Sequence, residues 1–154
     1  MIFPTVNKIP AFVLDKLDIL FQLLKERKNE FEIFASRVKD KQLKRTVLSL
    51  AQEANQYATE LLGQIQIMGG RIRSMERLEE YQELGNRVMM MEEEEDILKS
   101  CEISEKKMII AYRNILNEPF LHENLRKLIR CQLNGLTFAF MQLRLLNTSL
   151  SLHI

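Results

Sequence analysis

Residues 11–38 read AFVLDKLDILFQLLKERKNEFEIFASRV. Val13, Leu17, Leu20, Leu24, Phe31, Phe34 and Val38 recur there at helical intervals, which predicts one amphipathic helix presenting a single apolar face. Pro10 suits its first turn. Lys28 reads as a charge on that same face. Such a charge is costly in a core unless a partner side chain or a bound ion neutralises it.

Three more segments repeat the pattern. Residues 41–68 carry Leu43, Val47, Leu50, Ala54, Tyr57, Leu61, Ile65 and Met68. Asp40 is placed to cap this helix and Gly69-Gly70 to end it. Residues 93–116 carry Leu98, Cys101, Met108, Tyr112 and Ile115, with Glu105 as a second charge on an apolar stripe. Their acidic start, Glu92 to Asp96, complements the positive end of a helix dipole. Residues 120–147 carry Leu125, Leu128, Leu136, Ala139, Leu143 and Leu146, with Pro119 before them.

The connections set the topology. A short turn at Lys39-Asp40 makes the first two helices an antiparallel hairpin, and Asn117-Glu118-Pro119 does the same for the last two. Between the hairpins, residues 71–91 have a weaker helical pattern broken by Gly85. A stretch of that length can travel the length of a bundle. The expected fold is therefore all-α: a four-helix bundle of two antiparallel hairpins joined by a long crossover at about residues 70–92, filling 1–154 as one domain.

Composition narrows the function classes. Net charge is +1, from 22 Lys+Arg and 21 Asp+Glu, which argues against a nucleic-acid footprint. No apolar run is long enough for a membrane span, and the N-terminal residues do not read as a signal peptide. Cys101 and Cys131 are read as free buried thiols of a reducing, cytoplasmic compartment. No Ser/His/Asp constellation, phosphate-binding glycine loop or CxxC motif is present.

The halves also match each other. Leu43-Lys44-Arg45 with Val47 parallels Leu125-Arg126-Lys127 with Ile129, and Lys28 with Ala35 parallels Glu105 with Tyr112. Phe31 with Ala35, Val38-Lys39-Asp40 before Leu43, and Leu50-Ala51-Gln52 with Tyr57 and Glu60-Leu61 form a wider pattern. Gly69-Gly70, Cys101-Glu102 with Glu105, Ala111-Tyr112-Arg113 and Gln132-Leu133 continue it. On these residues the chain, over about 14–146, resembles a small bacterial branch of the ferritin-like superfamily, a domain of unknown function.

The resemblance implies a bundle whose first and third helices each give an inward Glu, and whose second and fourth each give Glu-x-x-His, to iron or manganese. Here Lys28 stands at the first-helix position, and Glu53 is followed by Gln56 rather than His. Glu105 remains, with Glu102 a turn before it. Gln132 is followed by Gly135, and the two histidines, His122 and His153, lie away from the centre. A standard di-metal site is not expected, and no cofactor is.

The middles of the helices place Lys28, Glu53, Glu105 and Gln132 at similar heights. The reading is a polar core layer in which Lys28 pairs with Glu105, while Gln132 and Tyr57 add hydrogen bonds. Snorkelling of Lys28 to water is the alternative. Glu53, Glu102 and Glu105 are the alternative metal ligands, with Glu60 near them. Met89-Met90-Met91 read as an apolar cover rather than a copper site. Residues 136–146 are apolar around almost the whole helix, which predicts burial against a second subunit or the crossover, and hence a homodimer. The functional expectation is a non-enzymatic bundle acting through protein contacts, in stress physiology as the resemblance implies. A metal-binding or oxidoreductase relative with non-standard ligands is the alternative.

Overall fold

The computed structural model describes residues 8–73 and 94–151, with side chains from 98 to 148 in the second stretch. Four helices account for nearly all of these residues: α1 (Ala11–Arg37), α2 (Lys41–Ile67), α3 (Glu94–Leu116) and α4 (Glu123–Ser151). No strand occurs among the described residues.

Local chemistry fixes the helix ends. Pro10 is the N-cap of α1, and its carbonyl accepts from Val13 and Leu14. Asp40 caps α2, its carboxylate accepting from the Leu43 N–H at 2.8 Å. At the other end of α2, Gly70 donates to Ile65 and Gly69 to Gln66, the paired bonds of a glycine-terminated helix. Gly69 adopts φ 83°, a conformation that residues with a Cβ rarely take.

α4 begins at Glu123 rather than at 120 as the sequence predicts. His122 caps it: its Nδ1 accepts from Asn124 N–H at 3.1 Å and its carbonyl from Arg126 N–H. The preceding residues form a turn that buries Leu121. The Arg126 guanidinium bridges back to the carbonyls of Leu116 (2.6 Å) and Glu118 (2.7 Å), satisfying the open C-terminus of α3.

α1 packs on α2 and α3, and α4 packs on the same two, so the helices form a square with α1 and α4 on one diagonal. All four sides are antiparallel. Lys8 donates to the Met68 carbonyl, and Lys16 pairs with Glu118. Glu30 meets Ser100 at the far end of α1, while Tyr57 meets Gln132 across α2 and α4. α2 therefore ends at the opposite end of the bundle from where α3 starts. The expected crossover and Met89-Met90-Met91 fall largely on residues 74–93, outside the described residues.

Burial repeats between the hairpins in the expected register. Leu24, Arg27, Phe31, Ala35 and Val38 of the first correspond to Cys101, Ser104, Met108, Tyr112 and Ile115 of the second, and all ten are buried. On α4 the buried seam runs through Leu125, Ile129, Gln132, Leu136, Phe140 and Leu143. It passes through Ile129 and Phe140 in place of Leu128 and Ala139, which are half-buried. Phe138, Met141 and Leu145 stand on the outer face.

Candidate functional site

The α1 seam steps alternately by four and three residues through Val13, Leu17, Leu20, Leu24, Phe31, Phe34 and Val38, with one member missing. The position that continues the rhythm is 27, and Arg27 is buried there at 6% exposure. Its Nη1 donates to Glu30 Oε2 at 2.6 Å and also to Ser104 of α3; its Nη2 lies 3.6 Å from Glu26. Glu30, equally buried, accepts from Ser100 Oγ at 3.2 Å. The Ser104 hydroxyl donates to the Ser100 carbonyl at 2.9 Å. The layer thus carries its own cation, which offsets the cost of burying Glu30. Within this cluster Arg27 Nε is buried without a partner among the described residues.

Cys101 borders this cluster and is buried. Burial pushes its thiol far above the ordinary range; Glu30 adds to the shift and Arg27 opposes it. The group stays protonated and unreactive.

A second polar layer joins α2, α3 and α4. Tyr112 donates to Gln132 Oε1 at 2.8 Å, and Gln132 Nε2 donates to the Tyr57 carbonyl at 3.1 Å. The Tyr57 hydroxyl lies over Gly135, where any Cβ would overlap it, beside the Glu53 carboxyl. Burial raises Glu53 above the usual carboxyl value, and its hydrogen bond with Tyr57 opposes that rise. Burial also raises both tyrosines. Glu53 Oε1 is buried with no hydrogen-bond partner among the described residues.

The structure brings some of the predicted residues together and separates others. Lys28 and Glu105 do not pair. Lys28 lies one residue off the seam, about 100° around the helix, and bonds Glu32 at 3.3 Å from a partly exposed position. Glu105 is buried but faces α4, where Arg144 pairs with it. Gln132 is in the core as expected, whereas Tyr57 meets it through its carbonyl rather than its hydroxyl.

Glu53 sits between α2 and α4. Glu102 and Glu105 instead border a water-sized cavity of about 10 Å³ between α3 and α4. Among the described residues no three His, Cys, Asp or Glu side chains are grouped to hold a metal ion. Gln56 bonds Glu60, and His122 is a helix cap. Cys131 is exposed, contrary to the expectation that both thiols are buried.

Arg27, Glu30, Ser100 and Ser104 are the residues that sequence reading missed. The gap in the four-three rhythm at position 27 was the available signal. Chemically, the two layers pair most of their polar groups internally, leaving Arg27 Nε and Glu53 Oε1 over. No protein-family model matches the chain, and no curated protein matches it.

Proposed function

We propose that this chain is a ferritin-like bundle without a di-metal centre, non-enzymatic and cytoplasmic, which acts through protein–protein contacts. The observation that carries the reading is the buried Arg27 guanidinium. It neutralises Glu30 between α1 and α3, so a side-chain cation lies in the buried seam of these two helices. The antiparallel square, with α2 ending and α3 starting at opposite ends, supports the ferritin-like arrangement. The matched burial of the two hairpins supports it as well. A role in stress physiology rests on the sequence resemblance alone.

Association as a homodimer is part of the same reading. Phe138, Met141 and Leu145 are 57%, 42% and 64% exposed on the outer face of α4. An apolar ridge of this kind favours a protein contact. No helix among the described residues is long and apolar enough to cross a membrane. Light scattering at micromolar concentration is expected to give twice the chain mass. The double change Phe138→Glu with Leu145→Glu is expected to give the single-chain mass with unchanged helicity. A native chain that scatters as a monomer would remove the dimer from the proposal.

A further inference from the structure

Between α2 and α4 lies a groove of about 190 Å³ lined by Arg45, Thr46, Ser49, Leu50, Ala139 and Gln142. It exists because Ser49 and Ala139 are small where the two helices pass each other. Its floor, Leu50 and Ala139, is apolar, and its walls are polar. Arg45, Ser49 and Gln142 have no hydrogen-bond or ion-pair partner among the described residues. The Thr46 hydroxyl donates to the Gln42 carbonyl and offers only its lone pairs to the groove.

The residues leading into the groove on α2 are basic, and Glu53 follows one helical turn beyond Ser49. Residues 37–45, RVKDKQLKR, hold five cations and one acid. That acid, Asp40, is spent on capping α2. No acidic residue stands in the first turn of α2, where Lys41 and Lys44 oppose the helix dipole. Lys41, Lys44 and Arg45 place positive charge near a concavity whose Arg45, Ser49 and Gln142 side chains can donate hydrogen bonds.

We propose that this groove binds a phosphoryl group carried by a small molecule. Arg45 supplies a two-pronged cationic fork, and Ser49 and Gln142 supply donors from two different helices. Donors converging from two helices suit a tetrahedral group with several terminal oxygens better than a planar carboxylate. The volume equals the share of about six liquid waters, so the phosphoryl group enters with a short carbon body over Leu50 and Ala139. The site is independent of the buried Arg27 layer.

The test is a titration of the full chain with glycerol phosphate, followed by amide NMR, beside sedimentation with vesicles containing phosphatidic acid. Saturable shifts centred on Arg45, Ser49 and Gln142 are expected with the soluble ester. Arg45→Gln is expected to weaken binding at least about tenfold, the scale of one charge-assisted contact. Lys44→Gln, one residue along and turned away from the groove, is expected to change it little. Ala139→Leu, which fills the groove without removing charge, is expected to abolish it. Binding to vesicles alone, still lost in Arg45→Gln, would keep the phosphoryl site and assign it to a lipid headgroup. No saturable binding in either arm overturns the proposal. So does binding that Lys44→Gln weakens as much as Arg45→Gln, or that Ala139→Leu leaves intact. Retained helicity of each variant by circular dichroism separates loss of binding from loss of fold.

Discussion

Arg27 of α1 and Ser104 of α3 occupy matching positions of the two hairpins and hydrogen-bond to each other across the α1–α3 seam. The contact lies where the repeat meets itself. One half supplies a long cation there, and the other a small hydroxyl that leaves room for it. Through this pairing Glu30 is held in a largely apolar interior. Each end of the charge pair keeps the other from being stranded in that interior.

Removing one end is therefore expected to cost more than removing both. Arg27→Met strands the Glu30 carboxylate and should lower stability by about 3–5 kcal/mol. Arg27→Met combined with Glu30→Leu should recover most of that loss. Urea midpoints at constant slope measure both. A cost for the single change no larger than the roughly 0.5 kcal/mol of a surface substitution would mean the pair is solvated rather than buried.

Gly135 predicts a reversal of sign. Glycine to alanine inside a helix ordinarily gains about 1 kcal/mol. Here the new methyl overlaps the Tyr57 hydroxyl, so Gly135→Ala should instead cost about 1–3 kcal/mol. In a Tyr57→Phe background the overlap with the hydroxyl disappears and only the ring carbon at 3.3 Å and Glu53 Oε1 at 3.4 Å remain close, so the same change should cost less. Thermal melts of the four combinations decide it; a stabilising Gly135→Ala in the native background would contradict the packing described.

Glu53 gives the chain a pH dependence of definite direction. Burial raises its carboxyl above 4.5 in the folded state. A raised carboxyl favours folding while protonated. Its contribution is complete below the unfolded value and is lost as pH climbs through the folded one. Glu53→Gln should flatten that fall and leave the chain more stable than native at neutral pH. The side chain is only half buried, so the direction of the change is the claim. Tyr57 and Tyr112 act in the same sense at alkaline pH: both are raised, so stability is lost above pH 10. Denaturation midpoints across pH test both; a native chain more stable than Glu53→Gln at neutral pH would refute the account of Glu53.

Helix number, the α1 start, the Asp40 cap and the Gly69-Gly70 stop were all legible, because each depends on residues adjacent in sequence. The polar layer was legible only in kind. Arg27 and Lys28 are neighbouring cations, and composition does not say which one faces inward. The four-three spacing does, since only position 27 continues it. The partner of Glu105 was hidden for another reason: Arg144 lies on a different helix and its side chain is partly exposed. The α4 start was misplaced because a histidine cap carries a weaker signal than the proline before it. The exposure of Cys131 follows from the seam running through Ile129 and Gln132.

Metal content after loading is the most direct measurement of whether a side-chain cation closes this bundle. Purified chain incubated with iron or manganese, desalted and analysed for elements, is expected to retain far less than one ion per chain, with no change on Glu105→Ala. Stoichiometric iron or manganese that is lost in Glu105→Ala would contradict the account and return the bundle to metal chemistry.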